Sequence, residues 1–173
     1  MNVTLHKKIR NLVSFTPAIW RDYRGENCET YDETVFTQLL AQNNIEDVKF
    51  IIDSLSFSRQ NTLRGFHGDT KNWKLIQCLK GEIYFVVIDV NPCSPTFNNI
   101  ETFDLNDKSR TQVLVPPNCV NAHLCISDEC IFFYKLSHNY VEQIDQIHVK
   151  WNDPKYNVFW PINNPILSLR DSN

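Results

Sequence analysis

The segment Leu63-Arg64-Gly65-Phe66-His67-Gly68-Asp69 sets a guanidinium, an imidazole and a carboxylate within seven residues. Imidazole titrates near neutrality, so His67 is a candidate general base or metal ligand. Lys74 opens the next apolar run, and His123 interrupts Ala122-His123-Leu124-Cys125. Tyr134 and Lys135 stand in Ile131-Phe132-Phe133-Tyr134-Lys135-Leu136, and Asp171 ends Leu167-Ser168-Leu169-Arg170-Asp171. Polar groups on segments that otherwise fill an interior carry the most information about function. Each also has a plainer role. A single strand histidine is more often a hydrogen-bonded core or rim residue, and Tyr134 a buried ring with a satisfied hydroxyl. Lys74 and Lys135 suit solvated edge-strand charges, and Asp171, so near the chain end, suits a frayed surface. Arg24, Glu29 and Arg64 suit simple ion pairs. A metal site could be assembled from His67, Asp69, His123 and Glu82, but the close H-x-H pair usual in small β-barrel sites is missing, and no metal is expected.

The elements that must position these groups are mostly strands. Thr30-Tyr31-Asp32-Glu33 reads as a capping box. Val35, Phe36, Leu39 and Leu40 then recur on one helical face, which predicts a helix to about Gln42. Ile9–Thr16 reads as a strand. After the helix, strands are predicted at Val48–Ser58, Thr62–His67, Lys74–Leu79, Ile83–Asp89, Ile100–Leu105, Thr111–Val115, Ala122–Ile126 and Ile131–Leu136. Lys80-Gly81, Asn91-Pro92 and Pro116-Pro117-Asn118 supply turns. Many short strands with one N-terminal helix imply an all-β sandwich, jelly roll or barrel. Ile83–Ile88 is apolar without alternation, as in a strand covered on both faces. The aromatic, Pro-containing tail from Trp151 to Pro161 suits an ordered cap.

Composition narrows the function classes. Seventeen Lys and Arg against 20 Asp and Glu leave a net charge of −3, which argues against a binder of nucleic-acid backbones. No apolar run is long enough to span a bilayer, and the N-terminus lacks a signal-peptide h-region, so an unexported, cytoplasmic protein without a membrane partner is expected. The six cysteines show no C-x-x-C spacing and read as reduced thiols. With 173 residues and no repeat or linker, one domain is expected over residues 1–173. Only four glycines occur, and Gly65 and Gly68 bracket His67, marking a backbone with special demands there.

Taken together these residues resemble the dTDP-4-dehydrorhamnose 3,5-epimerase family of cupin-fold sugar-nucleotide epimerases. The likeness runs from Asp22-x-Arg24-Gly25-x-x-x-Glu29 through Asn61-x-Leu63-Arg64-Gly65-x-His67, Lys74-Leu75, Gly81-Glu82 and Ser94-Pro95-Thr96-Phe97. It continues through Ala122-His123, Phe133-Tyr134-Lys135, Trp151-Asn152-Asp153 and Trp160-Pro161 to Leu167-Ser168-x-x-Asp171. The resemblance implies a cupin jelly roll with short C-terminal helical or capping segments. It implies His67 as general base oriented by Asp171, Tyr134 as opposite-face general acid, and Lys74 on the ketone oxygen. Arg24, Glu29, Arg64 and His123 are implied to line the nucleotide-sugar site, and Asp69 and Tyr140 complete the candidate substrate-binding set. A homodimer joined through N-terminal strands is implied, with no metal or redox cofactor.

The chain departs from the family pattern at Ile52-Asp53-Ser54, Gly68-Asp69, Phe85 and Leu124-Cys125. Lost hydrogen-bonding groups change which hydroxyls a site can satisfy, and Gly68 in place of a larger residue would open room beside His67. These departures resemble the branch acting on GDP-linked 4-keto-6-deoxy-heptoses in capsule assembly, with dTDP-4-dehydrorhamnose 3,5-epimerase proper as the alternative. The rivals are a cupin 3,4-ketoisomerase and a non-catalytic nucleotide-sugar-binding β-sandwich, which fold alone does not exclude.

Overall fold

The structure, a computed structural model, describes residues 1–45, 48–139 and 142–172. Its strands are β1 (Asn2–Leu5), β2 (Val13–Thr16), β3 (Trp20–Asp22), β4 (Gly25–Asn27), β5 (Ile52–Arg59), β6 (Leu63–Asp69) and β7 (Lys74–Lys80). They continue as β8 (Glu82–Asp89), β9 (Ile100–Asn106), β10 (Gln112–Val115), β11 (Cys119–Cys125), β12 (Glu129–Leu136) and β13 (Gln146–His148). A six-stranded sheet runs β1-β2-β10-β7-β12-β5 and a five-stranded sheet runs β13-β6-β11-β8-β9, while β3 and β4 form a separate hairpin. All strand pairs are antiparallel. This is the all-β jelly-roll sandwich expected.

Strand alternation divides the side chains between three apolar layers. Ile76, Cys78, Val113, Val115 and Phe132 of one sheet meet Ile83, Phe85, Val87 and Leu105 of the other in the inter-sheet core. Val13, Phe15, Leu75 and Leu114 face outward from the six-stranded sheet, and α1 (Glu33–Gln42) covers them with Phe36 and Leu40. Burial of each of those two helix side chains stabilises the fold by about 1.5–3 kcal/mol. The outer face of the five-stranded sheet is closed by the C-terminal tail, with Trp160 against Phe66 and Tyr84 and its indole N–H donating to Trp151 O at 2.9 Å. No C-terminal α-helix forms among the described residues; turns and a 3-10 turn at Gln143–Asp145 do the capping.

Several boundaries differ from the sequence reading. Asp32, not Thr30, caps α1, because its carboxylate stands directly before the first turn and accepts from Val35 N at 3.0 Å. The predicted strand at Ile9–Thr16 shortens to β2, since Asn11 takes a positive φ of 63° and the chain turns there. β5 begins at Ile52 rather than Val48, whose side chain packs beneath α1. The strands β1, β3, β4 and β13 are three or four residues long, too short to carry a periodic signal. Four of the six cysteines are buried as free thiols; Cys28 is half-buried and Cys93 exposed.

Candidate active site

The inter-sheet space is apolar at one end and polar at the other, where a cavity of about 470 Å³ opens. Inward positions on both sheets line it. β6 contributes Arg64, His67 and Asp69, and β11 contributes Asn121 and His123. Lys74 and Ile76 of β7 and Phe132 and Tyr134 of β12 face them from the other sheet. The imidazole and the phenol thus stand on opposing walls of one cavity.

His67 is held by the chain terminus. Ile166 pairs with the start of β6, its N–H donating to Asn61 O at 2.8 Å and its carbonyl accepting from Leu63 N at 3.0 Å. That docking delivers Asp171, which is only 4% exposed, to the histidine. His67 Nε2 lies 2.7 Å from Asp171 Oδ1, and Ser168 Oγ donates to Oδ2 at 3.0 Å. Burial tends to raise the Asp171 carboxyl, but His67, Ser168 and the Gly65 backbone outweigh it and hold the group below the usual carboxylate range. An ionised carboxylate only accepts, so Nε2 carries the hydrogen and Nδ1 keeps a free lone pair. Burial pushes the His67 pKa below its usual value; Asp171 pulls it upward, while Arg170 and His148 add to the depression. A neutral imidazole at pH 7 can accept a proton.

The glycine beside this histidine has a stated cause. Gly65 takes φ +121°, and a Cβ there would sit 2.6 Å from Asn121 O of the neighbouring strand. Gly68 is equally confined: a Cβ would meet Cys119 O at 2.2 Å. The backbone of β11 fills the space that the missing side chain was expected to leave for a larger sugar. Of the other departures, Asp69 shares the cavity wall with Gly68, whereas Asp53, Phe85, Leu124 and Cys125 do not line it. Asp53 faces outward and binds Lys135 Nζ at 2.8 Å, Phe85 stands in the core behind Phe132, and Leu124 and Cys125 are buried in apolar layers.

Lys74 is positioned by the β6–β7 turn. Asp69 accepts from the backbone of Lys71 at 2.9 Å and of Asn72 at 2.5 Å, and its other oxygen stands 3.7 Å from Lys74 Nζ. Asn72 in turn accepts from His138 N at 2.9 Å, tying the turn to the chain after β12. Burial lowers the Lys74 pKa, against the pull of Asp69. His123 is stacked on Phe132 with ring centroids 4.0 Å apart. Burial, with Arg64 and His67 adding to it, drives its pKa down to about 3, so the ring is neutral. Its Nε2 and Asn121 Oδ1 are buried without a partner among the described residues. Such groups are costly unless a ligand satisfies them.

Of the residues singled out from sequence, His67, Asp171, Tyr134, Lys74, Arg64, His123 and Asp69 line this cavity. Tyr140 lies outside the described residues. Arg24 and Glu29 do not line it. Arg24 sits at the tip of the β3–β4 hairpin with its guanidinium on Asp22 at 2.7 Å, and Glu29 is exposed beyond that hairpin. The hairpin is held at its base instead, where Glu26 meets Arg110 at 2.9 Å. Sequence reading missed Asn121, Asn72, Arg170 and His148. His148 is the one with a detectable signal, a histidine alternating with apolar Ile147 and Val149.

A family model described as dTDP-4-dehydrorhamnose 3,5-epimerase matches residues 6–173. The chain belongs to this family. It is therefore an isomerase of the sugar-nucleotide epimerase class. The dTDP-4-dehydrorhamnose 3,5-epimerase of Shigella flexneri is 30% identical over 176 aligned positions, covering 100% of this chain and 94% of the relative. A crystal structure of the Bacillus anthracis dTDP-4-dehydrorhamnose 3,5-epimerase with TDP and pyrophosphate bound superposes with a TM-score of 0.89. Identity there is 29%, covering 98% of this chain and 95% of that one. The Legionella pneumophila dTDP-6-deoxy-D-glucose-3,5-epimerase, in complex with dTDP-4-keto-L-rhamnose, gives a TM-score of 0.88 at 25% identity, covering 99% and 90% of the two chains.

Proposed function

We propose that this epimerase inverts C3 and C5 of a dTDP-linked 4-keto-6-deoxy-hexose. The observation that carries the reading is the His67–Asp171 pair facing Tyr134 and Lys74 across one cavity. A 4-keto group acidifies the hydrogens on both neighbouring carbons, yet removing either builds negative charge on the ketone oxygen. His67 Nδ1 takes the proton, and Asp171 fixes the tautomer and supports the imidazolium. The Lys74 ammonium stabilises the enolate as its charge forms. Tyr134 returns a proton from the opposite wall, which inverts the carbon. Arg64 and Arg170 supply positive charge for the diphosphate, and Asn121 and His123 offer unsatisfied polar atoms to the sugar or nucleotide. None of these steps needs a metal or redox cofactor.

The named relatives support a dTDP sugar over the GDP-linked heptose suggested by the sequence departures. Of those departures only Gly68 and Asp69 line the cavity, and the β11 backbone closes the space beside Gly68. Incubation in D2O with each 4-keto sugar nucleotide tests the choice. The dTDP-hexose is expected to gain deuterium at both C3 and C5, read by mass and NMR. Exchange confined to GDP-4-keto-6-deoxy-heptose would transfer the assignment to that sugar, and no exchange with either would leave a binding module.

A homodimer belongs to the same reading. Leu55 and Phe57 of β5 and Leu79 of β7 are exposed together on the outer face of the six-stranded sheet, and the Arg24 hairpin projects free of its own cavity. A second copy would cover that apolar strip and receive Arg24 and Glu29. Light scattering is expected to give twice 20.3 kDa at micromolar concentration; a monomer would overturn the dimer.

A further inference from the structure

The short strand β13 runs antiparallel to β6 in a register that sets His148 opposite His67. The two imidazoles stack with centroids 5.3 Å apart and planes 30° apart. His67 Nε2 and His148 Nε2 lie 2.7 and 3.6 Å from the same oxygen of Asp171, and one ligand atom from each of the three residues falls within a 4.8 Å group. Four ligands around a tetrahedral zinc ion at about 2.0–2.2 Å stand roughly 3.3–3.5 Å from one another. The observed separations bracket that value, so small side-chain rotations satisfy it. Two imidazoles and a carboxylate are a donor set typical of zinc sites that leave one position open.

The geometry points to a binding site for a divalent transition-metal ion, zinc in the first instance, formed by His67, His148 and Asp171, whose occupation silences the enzyme. The ion takes the Nε2 lone pair of His67, so the single hydrogen of the neutral ring moves from Nε2 to Nδ1. No proton is lost from the ring and Asp171 stays ionised. Nδ1, the nitrogen that must receive the substrate proton, then has no free lone pair. Zinc is here an inhibitor that displaces a shared hydrogen bond, not a participant in epimerisation. The inhibitory half rests on the reading of His67 as base; the metal site itself does not.

The full chain, stripped with EDTA and desalted, tests both halves. Calorimetric titration with zinc chloride is expected to show one ion per chain, and binding at least roughly tenfold weaker in His148→Gln, the loss that follows removal of one coordinating partner. Cobalt(II) should give a ligand-field band that the variant weakens. Solvent exchange by the wild type should fall with added zinc and recover with EDTA. Measured against its own metal-free rate, the variant should need at least roughly tenfold more zinc for the same fractional inhibition. No zinc binding, or binding unchanged in His148→Gln, overturns the site. Stoichiometric zinc with undiminished exchange overturns the silencing. A wrong base assignment would show separately, as exchange surviving His67→Asn without any metal.

Discussion

His67→Asn is expected to lower kcat for epimerisation by roughly 10²–10⁴-fold, the usual contribution of a positioned acid–base group. Asparagine is smaller and its amide overlays Nδ1 rather than the Nε2 that meets Asp171, so that hydrogen bond weakens. The pairing of Ile166 with the start of β6 still docks the tail, and KM should change little. Deuterium incorporation at C3 and C5 should fall together with turnover, because both begin with proton removal. Circular dichroism should match the wild type, with at most a modest fall in Tm from the weakened bond to the buried Asp171. The wild-type acid limb of kcat/KM should fall below pH 6.5, since burial depresses the His67 pKa and a lower pKa keeps the base unprotonated further into acid. The variant should lose that limb. Turnover within tenfold of wild type would mean that another group removes the proton.

Tyr134→Phe should separate two events that His67→Asn removes together. The ring contact with Phe132, at 5.7 Å between centroids, survives the change, and only the hydroxyl is lost. His67 can still take the proton and return deuterium to the same face. Exchange should therefore continue within about tenfold of wild type, while net inversion drops by roughly 10²-fold or more. NMR of recovered substrate, deuterated but not inverted, is the signature. Full inversion by the variant would show that the opposite-face proton comes from elsewhere, and loss of exchange as well would show that Tyr134 acts before proton removal.

These expectations rest on residues visible in the sequence to unequal degrees. His67 was marked by its flanking glycines, and the close approach of β11 at Gly65 and Gly68 supplies their reason. The same contact removed the argument for extra sugar room, because a missing side chain leaves space only where no backbone has moved in. Asp171 is marked only through the resemblance that Leu167-Ser168-x-x-Asp171 carries, and nothing local in the sequence signals its burial. A carboxylate near a chain end reads as surface until the pairing of Ile166 with the start of β6 is known.

What the sequence by itself determined was the class of the elements and the identity of the chemical groups. Apolar alternation, turn residues and an N-terminal helical stripe are local, and they report α1 and every strand except β1, β3, β4 and β13 to within a few residues. The ordered motifs around His67, Lys74, Tyr134 and Asp171 named the reaction. Tertiary structure alone decided which of those groups share a cavity and which do not, because strand pairing joins residues more than a hundred positions apart. It brought His148 and Asp171 to His67, sent Asp53 and Phe85 away from the site, and left Arg24 on a hairpin outside its own chain's cavity. Spacing along a chain carries no record of which sheet, or which face of it, a side chain will join.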